Sequence, residues 1–250
     1  MDLAELFWNA TLEELKKGYI EKEFYFICLL CGKKLEKGII YEEEGVNYET
    51  ERFIRIHIEK EHDSVFDYLI QLDKKLTGLT EHQNNLLRLF YQGKNDEEIR
   101  KELEIGSAST IRNHRFSLKQ KERQSKVFLT MMELLKDKDE HAPTFLNIHK
   151  TATMVDDRYN VTQKEKEKIL RKYFPDGTDG KLKTFKMKEK NKLVILHEII
   201  KKFDRNKTYT EIEVNNILEK VFDDFVTLRR YLIEYGFIDR EADGSKYWLK

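Results

Sequence analysis

The chain has 250 residues, of which 40% are hydrophobic and 37% charged, with a formal net charge of zero. That is apolar material for more than one core, carried under highly solvated helical surfaces. Two prolines and eleven glycines are too few for a turn-rich β-sandwich, and no apolar run reaches the roughly 18 residues that would span a membrane. The opening MDLAELFWNATLEELKK lacks a basic start followed by an apolar stretch, so it does not read as a secretion signal. The expected compartment is the cytoplasm, where disulfides are rare. Charge is uneven: residues 1–76 carry −6, residues 77–136 carry +3 and residues 137–250 carry +3. The predicted fold class is mainly α with small β elements. Four segments are expected: an acidic N-terminal module (1–76), a helical middle segment (77–136), a linker (137–162) and a C-terminal domain (163–250).

Both cysteines lie in FICLLCG, and the pattern continues as Cys28-x2-Cys31-x25-His57-x4-His62. A Cys-x2-Cys turn followed by Gly32 lets two thiolates point at one centre. Phe53, Ile54, Ile56 and Ile58 mark a helix, on which residues five apart diverge by about 140°. His62 must therefore sit at a fraying helix end to join His57. Cys2His2 at this spacing points to structural zinc, with roughly 10–16 kcal/mol of apparent binding energy to hold a small acidic module together. Three other readings compete: a redox-active pair, cysteines buried as small hydrophobes, and histidines that are ordinary surface residues.

Residues 79–136 carry the clearest functional signal. LTEHQNNLLRLFYQG opens on the capping-box pair Thr80 and Gln83, then places Leu86, Leu87, Leu89 and Phe90 at helical spacing. Gly93 ends that helix. Asn95 with Glu98 starts the next, where Ile99 and Leu103 face inward. Gly106 breaks the chain again, and Ser107 or Ser109 caps STIRNHRFSLKQKERQ. Three helices with a tight turn before the third predict a helix-turn-helix. At about 100° per residue, Ile111, His114, Arg115 and Leu118 turn toward the first two helices. Ser109, Arg112, Asn113, Phe116, Ser117 and Gln120 face outward. Arg suits guanine edges, Asn and Gln suit adenine, and Phe suits a thymine methyl. Residues 112–126 hold six Lys or Arg against one Glu, which would serve phosphates. The candidate DNA-binding set is Ser109, Thr110, Arg112, Asn113, Arg115, Phe116, Lys119, Gln120, Lys121 and Arg123. Within it Arg112, Asn113 and Gln120 are assigned to base edges, and Arg115, Lys119, Lys121 and Arg123 to the backbone. A solvated basic helix in a plain three-helix bundle is the alternative.

This stretch resembles the LuxR/GerE-type helix-turn-helix, a relative of the sigma-factor region that reads promoter elements. The resemblance rests on Leu79-Thr80, Gly93, Ile99, Leu103 and Thr110-Ile111-x-x-His114 with Leu118, and it implies a DNA-reading third helix. The chain departs from the family twice. Gly106 and Ser107 stand where the family has one serine, and Glu122-Arg123 replace a helix-breaking Leu-Gly. The second departure predicts a third helix that runs on into KVFLTMMELLK. There Val127, Phe128, Met131, Leu134 and Leu135 form an apolar stripe expected to make a homodimer, unless it packs on the protein's own linker or winged helix.

From Gln163 the helical pattern resumes. EKEKILRKYFPDG is a helix ended at Pro175-Asp176-Gly177. KEKNKLVILHEIIKKF reads as amphipathic through Leu193, Leu196, Ile199, Ile200 and Phe203. Thr210 and Glu213 form another capping box ahead of Val214, Ile217 and Leu218, and DDFVTLRRYLIEYG is a further helix. FIDREADGSKYWL folds back at Asp243-Gly244 as a hairpin, which completes a winged-helix arrangement. Residues 165–250 resemble an uncharacterised module found at the C-terminus of proteins classed as bacterial transcriptional regulators. The carrying motifs are Tyr173-Phe174-Pro175, TYTEIEVN, LRRYLIEYG and Tyr247-Trp248. Arg229, Arg230 and Lys246 form a second possible nucleic-acid surface, with protein binding the equal alternative.

No Gly-rich phosphate loop or nucleophile motif is present, and four protein ligands leave a metal no open position, so no enzyme is expected. The expectation is a bacterial, sequence-specific transcriptional regulator that binds double-stranded DNA as a homodimer and carries structural Zn2+. One alternative is a sigma-like interaction protein docking on RNA polymerase or another regulator. The other is a zinc/thiol redox switch.

Overall fold

The computed structural model describes residues 3–136, 138–205 and 207–250. The chain divides into two compact units, one formed by Met1–Asp73 with Thr144–Lys250 and the other by Lys74–Pro143.

The first part of the larger unit begins with two short helices, α1 (Leu3–Trp8) and α2 (Leu12–Lys17). Thr11 and Glu14 form a reciprocal capping box on α2, and Gly18, at φ +78°, turns the chain out of it. Three antiparallel strands follow in the order β1 (Tyr19–Glu21), β2 (Tyr25–Cys28) and β3 (Lys34–Glu36). A separate hairpin, β4 (Ile40–Glu43) and β5 (Val46–Glu49), leads into α3 (Thr50–His62) and α4 (Val65–Ile70). Phe53, Ile54 and Ile58 of α3 pack on Phe26, Cys28, Leu30 and Leu35, which fixes the helix across the sheet.

The second unit holds α5 (Lys74–Thr77), α6 (Glu81–Tyr91), α7 (Asp96–Glu102) and α8 (Ala108–Lys136). Capping boxes at Thr80/Gln83 and Asn95/Glu98 start α6 and α7 where the sequence places them. The residue with positive φ between α7 and α8 is Glu104, not Gly106. The Ser107 hydroxyl accepts from the Thr110 amide at 3.3 Å, so Ser107 supplies the cap for α8. That helix runs 29 residues without a break. Its packed portion is short, because the core of this unit is Leu86, Leu89, Ile99 and Ile111.

From Thr144 the chain rejoins the larger unit, and here the structure departs from the expected linker. Leu146, Ala152, Tyr159 and Val161 are buried. Leu146 and Gln163 donate backbone hydrogen bonds to Val161 and Thr144, so this stretch pairs with itself and its neighbours irregularly. A segment held that way shows no sequence period. The helices α9 (Gln163–Tyr173), α10 (Glu189–Ile199), α11 (Glu211–Glu219) and α12 (Phe225–Glu234) follow, then the hairpin β6 (Ile238–Arg240) and β7 (Tyr247–Leu249). Its register pairs Ile238 with Leu249 and Arg240 with Tyr247. α10 is not one-sided: Leu193, Val194, Ile195, Leu196, His197 and Ile199 are all buried, so it forms the centre of this core.

Candidate metal centre and candidate nucleic-acid interface

β2 ends on Cys28, and the turn after it is tied twice. The Gly32 amide donates to the Cys28 carbonyl at 2.8 Å, and the Cys28 amide donates to that of Lys33 at 2.9 Å. Gly32 sits at φ +84°, which a side chain would resist. α3 brings the histidines. Its first turn is pinned by the Thr50 hydroxyl, which donates to Glu36 and Ile39 carbonyls at 3.1 Å each. Lys60 pairs with Glu43 and Glu44 of the hairpin tip at 2.6 Å each. His62 is the last residue of the helix, and Asp63 leaves it at φ +58°. The helix therefore ends where the expected ring divergence requires it to end.

The four sequence-predicted ligands come together, with candidate ligand atoms of Cys28, Cys31, His57 and His62 all within 4.8 Å of one another. Cys31 Sγ lies 3.2 Å from His57 Nε2, and Cys28 Sγ lies 3.7 Å from His62 Nε2. Tetrahedral zinc with ordinary bond lengths needs S···N edges of roughly 3.5 Å, so the set fits the ion. Cys28 and His57 are buried, Cys31 and His62 partly so. The Cys28 thiol donates a hydrogen bond to the Cys31 sulfur, which raises the Cys28 pKa, and burial adds to it. The same bond lowers that of Cys31, against burial and with help from His57 and His62. A metal ion bound between the two sulfurs would displace their protons.

Two neighbours of this centre have no sequence signal. The Tyr68 ring lies 5.9 Å from that of His62, and the buried ammonium of Lys150 reaches the carbonyls between the cysteines. A cleft of about 730 Å³ opens beside the cluster, with Cys31, His62, Tyr68, Lys150, Arg205 and Trp248 on its wall.

On α8 the structure divides the candidate DNA set. Ser109, Thr110, Arg112, Asn113, Phe116, Lys119 and Arg123 are exposed, and Gln120 and Lys121 are half-buried. Arg115 is held within the unit: its guanidinium lies 3.7 Å from the ring centre of Phe90 and pairs with Asp96 at 2.9 Å. Lys121 donates to the Gly78 carbonyl, and Lys119 pairs with Glu122 at 2.6 Å. His114 faces His82 with Nε2 atoms 3.3 Å apart, a contact between α8 and α6. Arg112 and Asn113 make no ion pair or side-chain hydrogen bond among the described residues.

The second candidate set needs a correction. Arg229 is only 14% exposed and points into the unit, pairing with Glu211 at 2.7 Å and donating to Asn215 Oδ1 at 2.6 Å. It ties α12 to α11 and is withdrawn from any outer surface. Arg230 and Lys246 are exposed. Asp224 caps α12 through the Thr227 amide, and Asp223 pairs with Lys181, so both acids have local structural roles.

Residues 181–249 match the profile of a family described as an uncharacterized protein conserved in bacteria (DUF2087). The match covers α10 to β7 and falls inside the stretch whose motifs point to a bacterial module. No curated protein matches the chain, and no solved structure matches it. Among the described residues no helix is long and apolar enough to cross a membrane.

Proposed function

We propose that the chain is a sequence-specific DNA-binding regulator of transcription in which α6, α7 and α8 act as a helix-turn-helix. The observation that carries this reading is the outer face of α8. Arg112 and Asn113 stand exposed and uncommitted beside Phe116, 63% exposed, while Arg115 on the same helix is used to hold α6 and α7. Free Arg and Asn forks on a helix are what bidentate reading of guanine and adenine requires. Lys119 and Arg123 flank them as phosphate contacts. In this account α10 to α12 with the β6–β7 hairpin form a winged helix, whose Arg230 and Lys246 offer a second nucleic-acid surface. Cys28, Cys31, His57 and His62 hold a structural zinc, since four protein ligands leave no position for a substrate.

The second half of α8 supports pairing with a second copy of the chain. Val127, Phe128, Met131, Leu134 and Leu135 are 51–65% exposed and fall within an arc of about 120° on the helix. This arc continues the helix that carries the reading face, so pairing along it would set two reading faces on one duplex. One such unit seldom supplies enough contact area alone.

Two substitutions test the reading. Arg112→Ala is expected to cost about 1–3 kcal/mol on a preferred site and to relax base choice there. Lys119→Ala is expected to weaken all sequences alike and to flatten the salt slope by about one unit. Equal losses from both on specific and random duplexes would make α8 an electrostatic patch. No change from either would favour sigma-like docking on RNA polymerase or another regulator.

A further inference from the structure

Lys150 lies in the stretch 144–153 and is 6% exposed. Its ammonium donates to the Leu29 carbonyl at 2.6 Å and the Leu30 carbonyl at 2.8 Å. It also sits 5.0 Å from the ring centre of Phe7 and 5.1 Å from that of Tyr68. Leu29 and Leu30 are the residues between Cys28 and Cys31. One turn therefore aims two sulfurs at a candidate metal site and two carbonyls at a buried cation. A lysine ammonium is strongly hydrated, and burying it is tolerable only where fixed acceptors replace water. The turn keeps both carbonyls together while its cysteine ends are held together.

The residues beside Lys150 face the opposite way. His149 Nε2 donates to the Tyr235 carbonyl at 2.8 Å, Thr151 donates to that of Gly236 at 2.7 Å, and Thr153 donates to that of Glu234 at 2.6 Å. On the side of Lys150, the Ile148 carbonyl accepts from Trp8 Nε1 at 2.6 Å. Residues 148–153 thus join the metal-binding part to the end of α12, with neighbouring residues bonded to opposite partners. We propose that Lys150 makes the metal centre a latch: a bound metal fixes the Leu29–Leu30 carbonyls, these fix Lys150, and Lys150 holds 144–153 against the metal-binding part. Loss of the metal frees the turn, removes two acceptors from a buried ammonium and loosens the stretch that is hydrogen-bonded to the end of α12. The state of the metal is thereby transmitted to the C-terminal helices. This inference rests on the reading that the Cys2His2 cluster holds zinc.

Hydrogen exchange of the full chain, zinc-loaded and after chelation, tests it, with metal content measured on the same samples. Amides of 146–153 are expected to exchange at least about tenfold faster without zinc, while those of α6 and α7 in the other unit stay unchanged. Lys150→Met is expected to keep one zinc per chain but release it to chelator about tenfold faster. Metal-replete protein without zinc would overturn the metal reading and the latch with it. Zinc present, with 146–153 equally protected after its removal, would overturn the latch alone. Unaltered zinc release from a folded Lys150→Met protein would do the same.

Discussion

Arg229 and Arg230 are neighbours in sequence and opposite in situation. Arg229 bridges Glu211 and Asn215 with little exposure, and Arg230 stands in solvent. Arg229→Ala should therefore lower the stability of the C-terminal helices by about 1–3 kcal/mol in urea unfolding, because it leaves Glu211 and Asn215 without their partner. Arg230→Ala should stay within about 0.5 kcal/mol of wild type. An adjacent Arg pair looks basic in a sequence, and nothing there says that acceptors from α11 claim one of the two. The metal cluster was legible because ligand spacing is itself the signal and the helix end at His62 follows from it. Lys150 was not, since its carbonyl partners lie some 120 residues away. Cys28→Ser should lower zinc content by elemental analysis and loosen the cluster of Phe26, Leu35 and Ile54, while the second unit keeps its helix content.

At the scale of elements, local chemistry was readable and tertiary context was not. The Thr80/Gln83, Asn95/Glu98 and Thr210/Glu213 boxes each start a helix, since both partners lie within one turn. The all-round burial of α10 depends on α9, α12 and the 3₁₀ turn at Asp157–Tyr159 packing about it, which no window of its own sequence shows. Glu213 gives the capping box of α11 a pH dependence. Lys207, the Thr210 amide and the Thr210 hydroxyl lower its pKa from the ordinary 4.5 to about 2. A depressed carboxylate contributes stability that is fully present above the unfolded value and lost as pH falls through the folded one. Melts of wild type should thus lose stability between about pH 4.5 and about pH 2, and Glu213→Gln should flatten that limb. Gly236, at φ +78°, ends α12 where a Cβ would collide with the Thr151 carbonyl. Gly236→Ala should therefore destabilise by about 1–3 kcal/mol and release 148–153, read as a lower melting temperature and faster exchange there.

For the whole molecule, the sequence separates a head, a middle and a tail, whereas the structure joins residues up to Asp73 with those from Thr144 in one unit. The join is made by 144–162, whose irregular backbone reads as a linker for want of any period. The continuous α8, in contrast, follows from the missing Leu-Gly break, and its exposed arc is the basis of the homodimer proposal. Phe128→Glu combined with Met131→Glu should convert a dimer to a monomer in sedimentation at micromolar concentration while leaving the Leu86–Ile111 core folded. A wild-type chain that sediments as a monomer would remove the second copy from the account. The central claim is that α8 reads base sequence, and selection of bound duplexes from random DNA by the full, zinc-loaded chain tests it most directly. The account predicts an enriched inverted repeat with half-site centres about 10–10.5 base pairs apart or a multiple of that. Recovery of a pool no different from the input, with no salt-dependent binding, would contradict it.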